Sequence, residues 1–262
     1  MLRFAANLGM LFDEADFLER FALAADAGFA GVEYPFPYAH PAPLLRERLE
    51  AHALTQVLLN LPPGNWDAGE RGLACDPERR GEFRDGVGLG LEYARALGCT
   101  RLNCLAGIAP RVAPERAFQT LVDNLRFAAA ELAAAGVQLL IEPINTRDMP
   151  GFFLCHSAQA LSVCDAVGSD NLRLQFDIYH MQVMEGDLTR TIERCWPRIG
   201  HFQIADCPGR HEPGSGEICY PFVLGQIERL GYAGWIGCEY RPENGTAVGL
   251  RWLDAYASFT RK

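Results

Sequence analysis

Along this chain, short apolar runs of strand length alternate with longer stretches in which apolar residues recur every three or four positions. The runs at 3–8, 31–34, 55–60, 101–104, 137–142, 172–177, 200–205 and 235–239 read as strands. Between the fourth and fifth, Phe118, Leu121, Val122, Leu125 and Leu132 share one helical face, and Pro114 and Glu115 suit its first turn. Phe17, Phe21 and Ala24 or Ala25 mark a first helix that ends near Gly28. Ala27-Gly-Phe, Leu97-Gly-Cys, Ala135-Gly-Val and Leu230-Gly-Tyr repeat the same helix exit before strands two, four, five and eight. Eight strand–helix units predict an α/β fold, a (β/α)8 TIM barrel, and no compositional break divides residues 1–262 into more than a single domain. An open doubly wound sheet is the alternative, because periodicity does not show closure.

In the second half, four of these runs carry an oxygen-bearing side chain at or near their end: Glu142, Asp177, Gln203, which closes the stretch Ile199-Gly-His-Phe, and Glu239, separated by 35, 26 and 36 residues. In a closed parallel barrel all strand ends open on one face, where the following loops build the active site, so the four converge. A buried carboxylate needs water, a cation or a hydrogen-bond donor. For any one of them a helix cap or an arginine partner is the alternative; four on successive strands point to a divalent metal. Two Glu, one Asp and one amide oxygen suit Mg²⁺ or Mn²⁺ better than Zn²⁺. His201 shares the face of Gln203 one layer deeper, and either orients the ligands or is a core histidine. His180 follows Asp177 by three residues at the barrel mouth, where it either binds a substrate oxygen or is a surface histidine. Arg210, in the glycine- and charge-rich segment 209–217, either grips a substrate carboxylate in bidentate fashion or is solvated.

Asn7 and Glu33 end early strands and are expected to line the same pocket. The stretches 61–80, 143–157 and 206–221 are long for connections, and 60–71, with Trp66 and Arg71, is expected to act as a lid. Gly86-Val-Gly-Leu-Gly90 lies inside a helical pattern rather than between a strand and a helix, which removes it as a nucleotide loop.

Composition narrows the function further. A net charge of −9 opposes a nucleic-acid partner, which calls for a basic face. No apolar run approaches the ~20 residues of a membrane helix, so no membrane association is expected. The start of the chain lacks the apolar core of a signal peptide. Nine scattered cysteines without a Cys-x-x-Cys pair read as buried thiols of a reducing, cytoplasmic compartment. Composition leaves a homo-oligomer open. The only lysine is Lys262, so a Schiff base, a pyridoxal enzyme or a P-loop has no lysine to use. Carbonyl chemistry then needs another electrophile, and a metal ion supplies one.

Several segments resemble the hydroxypyruvate isomerase family of the xylose-isomerase-like barrels, nearly end to end. They are Arg3-Phe-Ala-Ala-Asn-Leu, Ala68-Gly-Glu-Arg-Gly-Leu, Glu142-Pro-Ile-Asn, Asp177-Ile-Tyr-His-Met-Gln, Arg210-His-Glu-Pro-Gly and Ile236-Gly-Cys-Glu-Tyr. The resemblance implies that Glu142, Asp177, Gln203 and Glu239 bind a divalent metal and that Glu142 and Glu239 are the catalytic carboxylates. Sugar-epimerase relatives commonly place a histidine where this chain has Gln203, a departure that argues against zinc and against carrying over epimerase chemistry. A similar group isomerises 2-oxo-tetronate; Glu142-Pro-Ile-Asn and Phe176-Asp-Ile-Tyr-His look closer to the hydroxypyruvate group.

The expected reaction is reversible aldose–ketose isomerisation of hydroxypyruvate, a small anionic hydroxy-keto acid, to tartronate semialdehyde (2-hydroxy-3-oxopropanoate). It would run through a metal-stabilised enediolate, with one glutamate taking the C3 proton and a carboxyl group returning one at C2. The rival readings are 2-oxo-tetronate isomerase or a ketose epimerase, a metal-dependent abasic-site endonuclease on the same barrel, and a non-catalytic sugar-acid-binding protein.

Overall fold

The computed structural model describes residues 1–256. Its strands are β1 (Arg3–Asn7), β2 (Gly31–Glu33), β3 (Thr55–Asn60), β4 (Arg101–Cys104), β5 (Gln138–Ile141), β6 (Leu172–Asp177), β7 (Ile199–Ile204) and β8 (Trp235–Cys238). All pair in parallel with their sequence neighbours, and β1 pairs with β8, so the sheet closes in chain order. The open doubly wound alternative is thereby excluded. Around the barrel run α1 (Arg20–Asp26), α2 (Ala42–Ala51), α3 (Arg80–Leu97), α4 (Pro114–Ala134), α5 (Ser157–Val167), α6 (Ile178–Met184), α7 (Leu188–Cys195), α8 (Tyr220–Arg229) and α9 (Thr246–Gly249). No helix among the described residues is long and apolar enough to cross a membrane.

Helix and strand faces assemble as their periodicity demands. In α4 the buried side chains include Ala117, Leu121, Val122, Leu125, Ala128 and Leu132, one stripe laid against the sheet. In α3, Gly90 lies where a Cβ would strike the Leu61 side chain, so glycine there serves close helix–barrel packing rather than phosphate binding. The main core fills the space between strands and helices. A second, small cluster of Ala5, Val57, Leu58 and Leu140, with Trp235 packed on it, is apolar filling inside the barrel.

The expected strands and the observed ones differ only at their ends. β5 stops at Ile141 because Pro143 has no N–H to extend the ladder, which leaves Glu142 as the first residue of the exit. Glu239 stands just past β8, yet its N–H still donates to the Ile204 carbonyl at 3.1 Å. The first helix starts at Arg20, later than its apolar pattern suggests, because Phe17 sits in the preceding turn, edge-on to Phe21 and Tyr34. Between β6 and β7 two short helices stand in place of one, and the first begins directly at the strand end.

Register places the polar residues in layers. Asp177 pairs with Gln203 and Gln203 with Gly237, while Asn7 pairs with Glu33. Gln175 and His201 pair two residues further down the same faces of β6 and β7.

Candidate active site

The four strand-end residues do reach one end of the barrel. Glu142, Gln203 and Glu239 line a small polar cavity together with Asn7, Glu33 and Gln175. Above it a cavity of about 110 Å³ has Glu142, His180, Arg210 and Glu239 on its polar side. Phe36, Trp66, Leu105, Ile144 and Met149 form its apolar wall. Trp66 belongs to the segment expected to act as a lid, and the Arg71 guanidinium lies 3.9 Å from its ring centre.

Each carboxylate has a distinct set of partners. Glu142 is buried, and its Oε2 accepts from Gln175 Nε2 at 2.8 Å and Asn103 Nδ2 at 3.1 Å. Its Oε1 lies 3.7 Å from His180 Nε2. Asp177 accepts the Tyr179 N–H at 2.8 Å and the His180 N–H at 3.3 Å through Oδ1, capping α6. The helix-cap reading is therefore true of one of its oxygens; the other, Oδ2, is buried without a hydrogen-bond partner. Glu239, 14% exposed, accepts from Arg210 Nη2 at 3.1 Å and from Asn7 Nδ2 at 3.2 Å.

Beneath them lies a polar floor. Asn7 and Gln203 both donate to Glu33 Oε1, at 3.1 and 2.7 Å, and His201 Nε2 meets Glu33 Oε2 at 2.8 Å. His201 thus acts on Gln203 through Glu33 rather than directly. Gln175 Nε2 spans to Gln203 Oε1 at 2.5 Å, so both ends of the Gln203 amide are engaged and its oxygen keeps one free lone pair. Gly237 makes room for this floor, because a Cβ there would overlap the Glu33 carboxylate.

Arg210 is partly buried and held among acids rather than freely solvated. Its guanidinium is 3.1 Å from Glu239, 3.7 Å from Asp177 and 3.4 Å from Asp148. The loop that carries it is fastened by Asp206, whose carboxylate accepts backbone N–H groups of Cys207, Gly214 and Ile218. His180 is likewise not a surface histidine: it is buried in the first turn of α6.

Electrostatics follow from this crowding. Burial, with Glu239 and Asp177 close by, pushes Glu142 well above the usual carboxylate range. Burial also raises Asp177 against the opposing pull of Arg210. Glu239 is pushed up to about 8, again by burial against the pull of Arg210. Burial holds His180 well below the usual imidazole value and therefore neutral. Burial disfavours the Arg210 charge, but Glu239, Asp177 and Glu142 together hold it firmly protonated.

Three carboxyl groups crowded in a buried space, with an Asp177 oxygen that has no hydrogen-bond partner, form a set that could hold a cation. Glu142, Asp177 and His180 each bring a ligand atom within 4.8 Å of the others. The residues fit a divalent metal. Asn103, Asn145 and Gln175 escape a reading for charged strand ends. Gln175 carries a positional signal, lying two residues before Asp177 and so on its face, and Asn145 closes the Glu142-Pro-Ile-Asn segment.

The profile of the xylose isomerase-like TIM barrel family matches residues 21–256. Hydroxypyruvate isomerase of Escherichia coli K12 is 53% identical over 257 residues, covering 98% of this chain and 100% of the relative. The 2-oxo-tetronate isomerase of Cupriavidus necator is 52% identical over 257 residues, covering 98% and 99%. A solved structure described as AP endonuclease, family 2, from Brucella melitensis superposes with a TM-score of 0.96 at 48% identity, covering 98% of this chain and 99% of that one. The chain belongs to the hydroxypyruvate isomerase family of xylose isomerase-like TIM barrels.

Proposed function

We propose that the protein is a divalent-metal-dependent aldose–ketose isomerase that interconverts hydroxypyruvate and tartronate semialdehyde, with 2-oxo-tetronate as the second acid to test. The observation that carries this reading is the 110 Å³ cavity, which sets two glutamates, a neutral histidine and an arginine opposite an apolar wall. Its size suits a small acid, and its relatives carry the names of both isomerases.

Glu142, Asp177 and Glu239, with the remaining lone pair of Gln203, are the residues that would hold the metal, Mg²⁺ or Mn²⁺ by the hardness of the oxygen donors. When bound, the metal polarises the substrate carbonyl and stabilises negative charge developing on oxygen. Arg210 binds the substrate carboxylate, releasing Glu239 as it does so. One of Glu142 and Glu239 takes the proton from C3, and a carboxyl group returns a proton to C2 while the hydroxyl proton moves from O3 to O2. The division of labour needs one carboxyl group ionised and another able to give a proton, and burial in a shared space sets their proton affinities apart from those of free carboxylates. The His180 N–H stabilises the oxygen on which charge accumulates. Trp66 and the apolar wall exclude water, which protects the intermediate from stray protonation.

The endonuclease description of the Brucella structure supports no second reading here, since a net charge of −9 repels a polyanion. The cysteines are unpaired, in keeping with a reducing cytoplasm. The test is a side-by-side assay of hydroxypyruvate and 2-oxo-tetronate with Mg²⁺ and with Mn²⁺, with an abasic-site DNA as control. Solvent deuterium entering hydroxypyruvate by NMR is the expected result; no exchange into either acid with either metal would sink the reading.

A further inference from the structure

We propose that Asn145, the last residue of Glu142-Pro-Ile-Asn, is a positioning residue that fixes His180 in the tautomer with its proton on Nε2, making it a hydrogen-bond donor to substrate rather than a metal ligand. The inference rests on the isomerase reading only for its consequence in catalysis; the tautomer itself follows from geometry.

The Asn145 side chain is fully buried and its amide cannot turn over freely. Oδ1 accepts the Arg147 N–H at 3.0 Å and the Asp148 N–H at 2.8 Å, closing an Asx turn. Nδ2 donates to Asp148 Oδ2 at 3.1 Å. Exchanging oxygen for nitrogen would break all three contacts and set two donors against each N–H. The orientation is thus determined by the turn, not by the histidine. Nδ2 then lies 2.7 Å from His180 Nδ1. An amide nitrogen only donates, so Nδ1 accepts, and in an imidazole that accepts at Nδ1 the proton sits on Nε2.

That Nε2–H faces the cavity. It lies 3.7 Å from Glu142 Oε1 and 3.6 Å from Asp177 Oδ2, beyond hydrogen-bond length from both and free to reach a guest. Glu142, Asp177 and His180 stand close enough together to hold a metal by distance alone. Ligation would require a lone pair on Nε2, and Asn145 withdraws it. The metal is left to oxygen donors, and the histidine to the substrate.

The test reads the tautomer directly, by ¹⁵N NMR of histidine-labelled full-length protein, with chelator and with Mg²⁺, the His180 signals being assigned by their loss in His180→Gln. The expected result is an unprotonated Nδ1 and a protonated Nε2 in both conditions. Asn145→Asp combined with Asp148→Asn keeps the turn and reverses the 145–148 hydrogen bond, while presenting an acceptor to Nδ1. In that variant the two ¹⁵N signals should exchange character, and kcat should fall about 10²-fold relative to Asp148→Asn alone, the control for the contact between Asp148 and Arg210, as for loss of one donor to a developing oxyanion. A proton on Nδ1 in the wild type, or an Nε2 signal that Mg²⁺ moves into the ligated range, would overturn the proposal, and neither depends on the variant folding. The predicted tautomer in a protein inactive on both acids would sink the isomerase reading alone; the opposite tautomer in an active isomerase would sink this inference alone.

Discussion

The crowding of carboxylates makes the metal-free protein sensitive to pH in a direction that can be worked out. Glu239 is raised from 4.5 to about 8 in the fold, chiefly by burial. Between those values the folded protein keeps a proton that the unfolded chain releases. Stability is therefore fully present below the unfolded value and falls as pH rises through the window. The whole displacement is equivalent to about 5 kcal/mol. Discounting by somewhat more than half for coupling to Asp177 and Glu142 leaves about 2 kcal/mol, or a Tm lower by about 4–8 °C near pH 8 than near pH 5. Asp177 and Glu142 are displaced the same way and add to the slope. The assay is a thermal melt with chelator across that range, for wild type and Glu239→Gln. The glutamine variant cannot ionise, so its melting temperature should fall less with pH. Saturating Mg²⁺ or Mn²⁺ should flatten the wild-type curve, because a bound cation stabilises the ionised acids. Equal slopes in wild type and variant, or a wild-type Tm that rises through the window, would refute the assignment of an uncompensated carboxylate cluster.

Glu142→Gln and Glu239→Gln should each lower kcat by about 10²–10⁴-fold while leaving the circular-dichroism spectrum intact; near wild-type turnover in either would dismiss the two-carboxylate scheme. Exhaustive chelation should abolish activity and Mg²⁺ or Mn²⁺ restore it, and a chelator-resistant enzyme would speak against the metal. Arg210→Met should raise KM for the acid about tenfold or more, the worth of a charge-assisted hydrogen bond, as read from initial rates. Gly237→Ala forces a methyl group into the Glu33 carboxylate, so it should cost about 1–3 kcal/mol in denaturant melts and lower activity with it.

What the sequence disclosed and what it withheld divide along a physical line. The eight strand–helix units follow from the pattern, and the meeting of Glu142, Asp177, Gln203 and Glu239 follows from the rule that strand ends of a closed barrel share a face. Closure itself is shown only by the β1–β8 pairing. The unit count and the shared face are properties of backbone order, and a linear pattern carries backbone order. Residues of one face are also legible within a strand, which is why His201 could be placed beneath Gln203. The partners across the barrel were not, because they depend on stagger between strands far apart in the chain. Glu33 and His201 are 168 residues apart and meet at 2.8 Å. The same limit governs the reading of Gln203. Its residue type and position mark it as a ligand, whereas only the structure shows Gln175 and Glu33 drawing on its amide from two sides. The proposed metal set therefore rests more firmly on the carboxylates than on the amide. A cation that binds Glu142, Asp177 and Glu239 has three negative charges to neutralise, and Gln203 adds geometry without charge. Replacing Gln203 by Ala should accordingly weaken Mg²⁺ affinity less than replacing Asp177 by Asn. Calorimetric titration of the two variants compares them directly, and a larger loss at Gln203 would reverse that ranking.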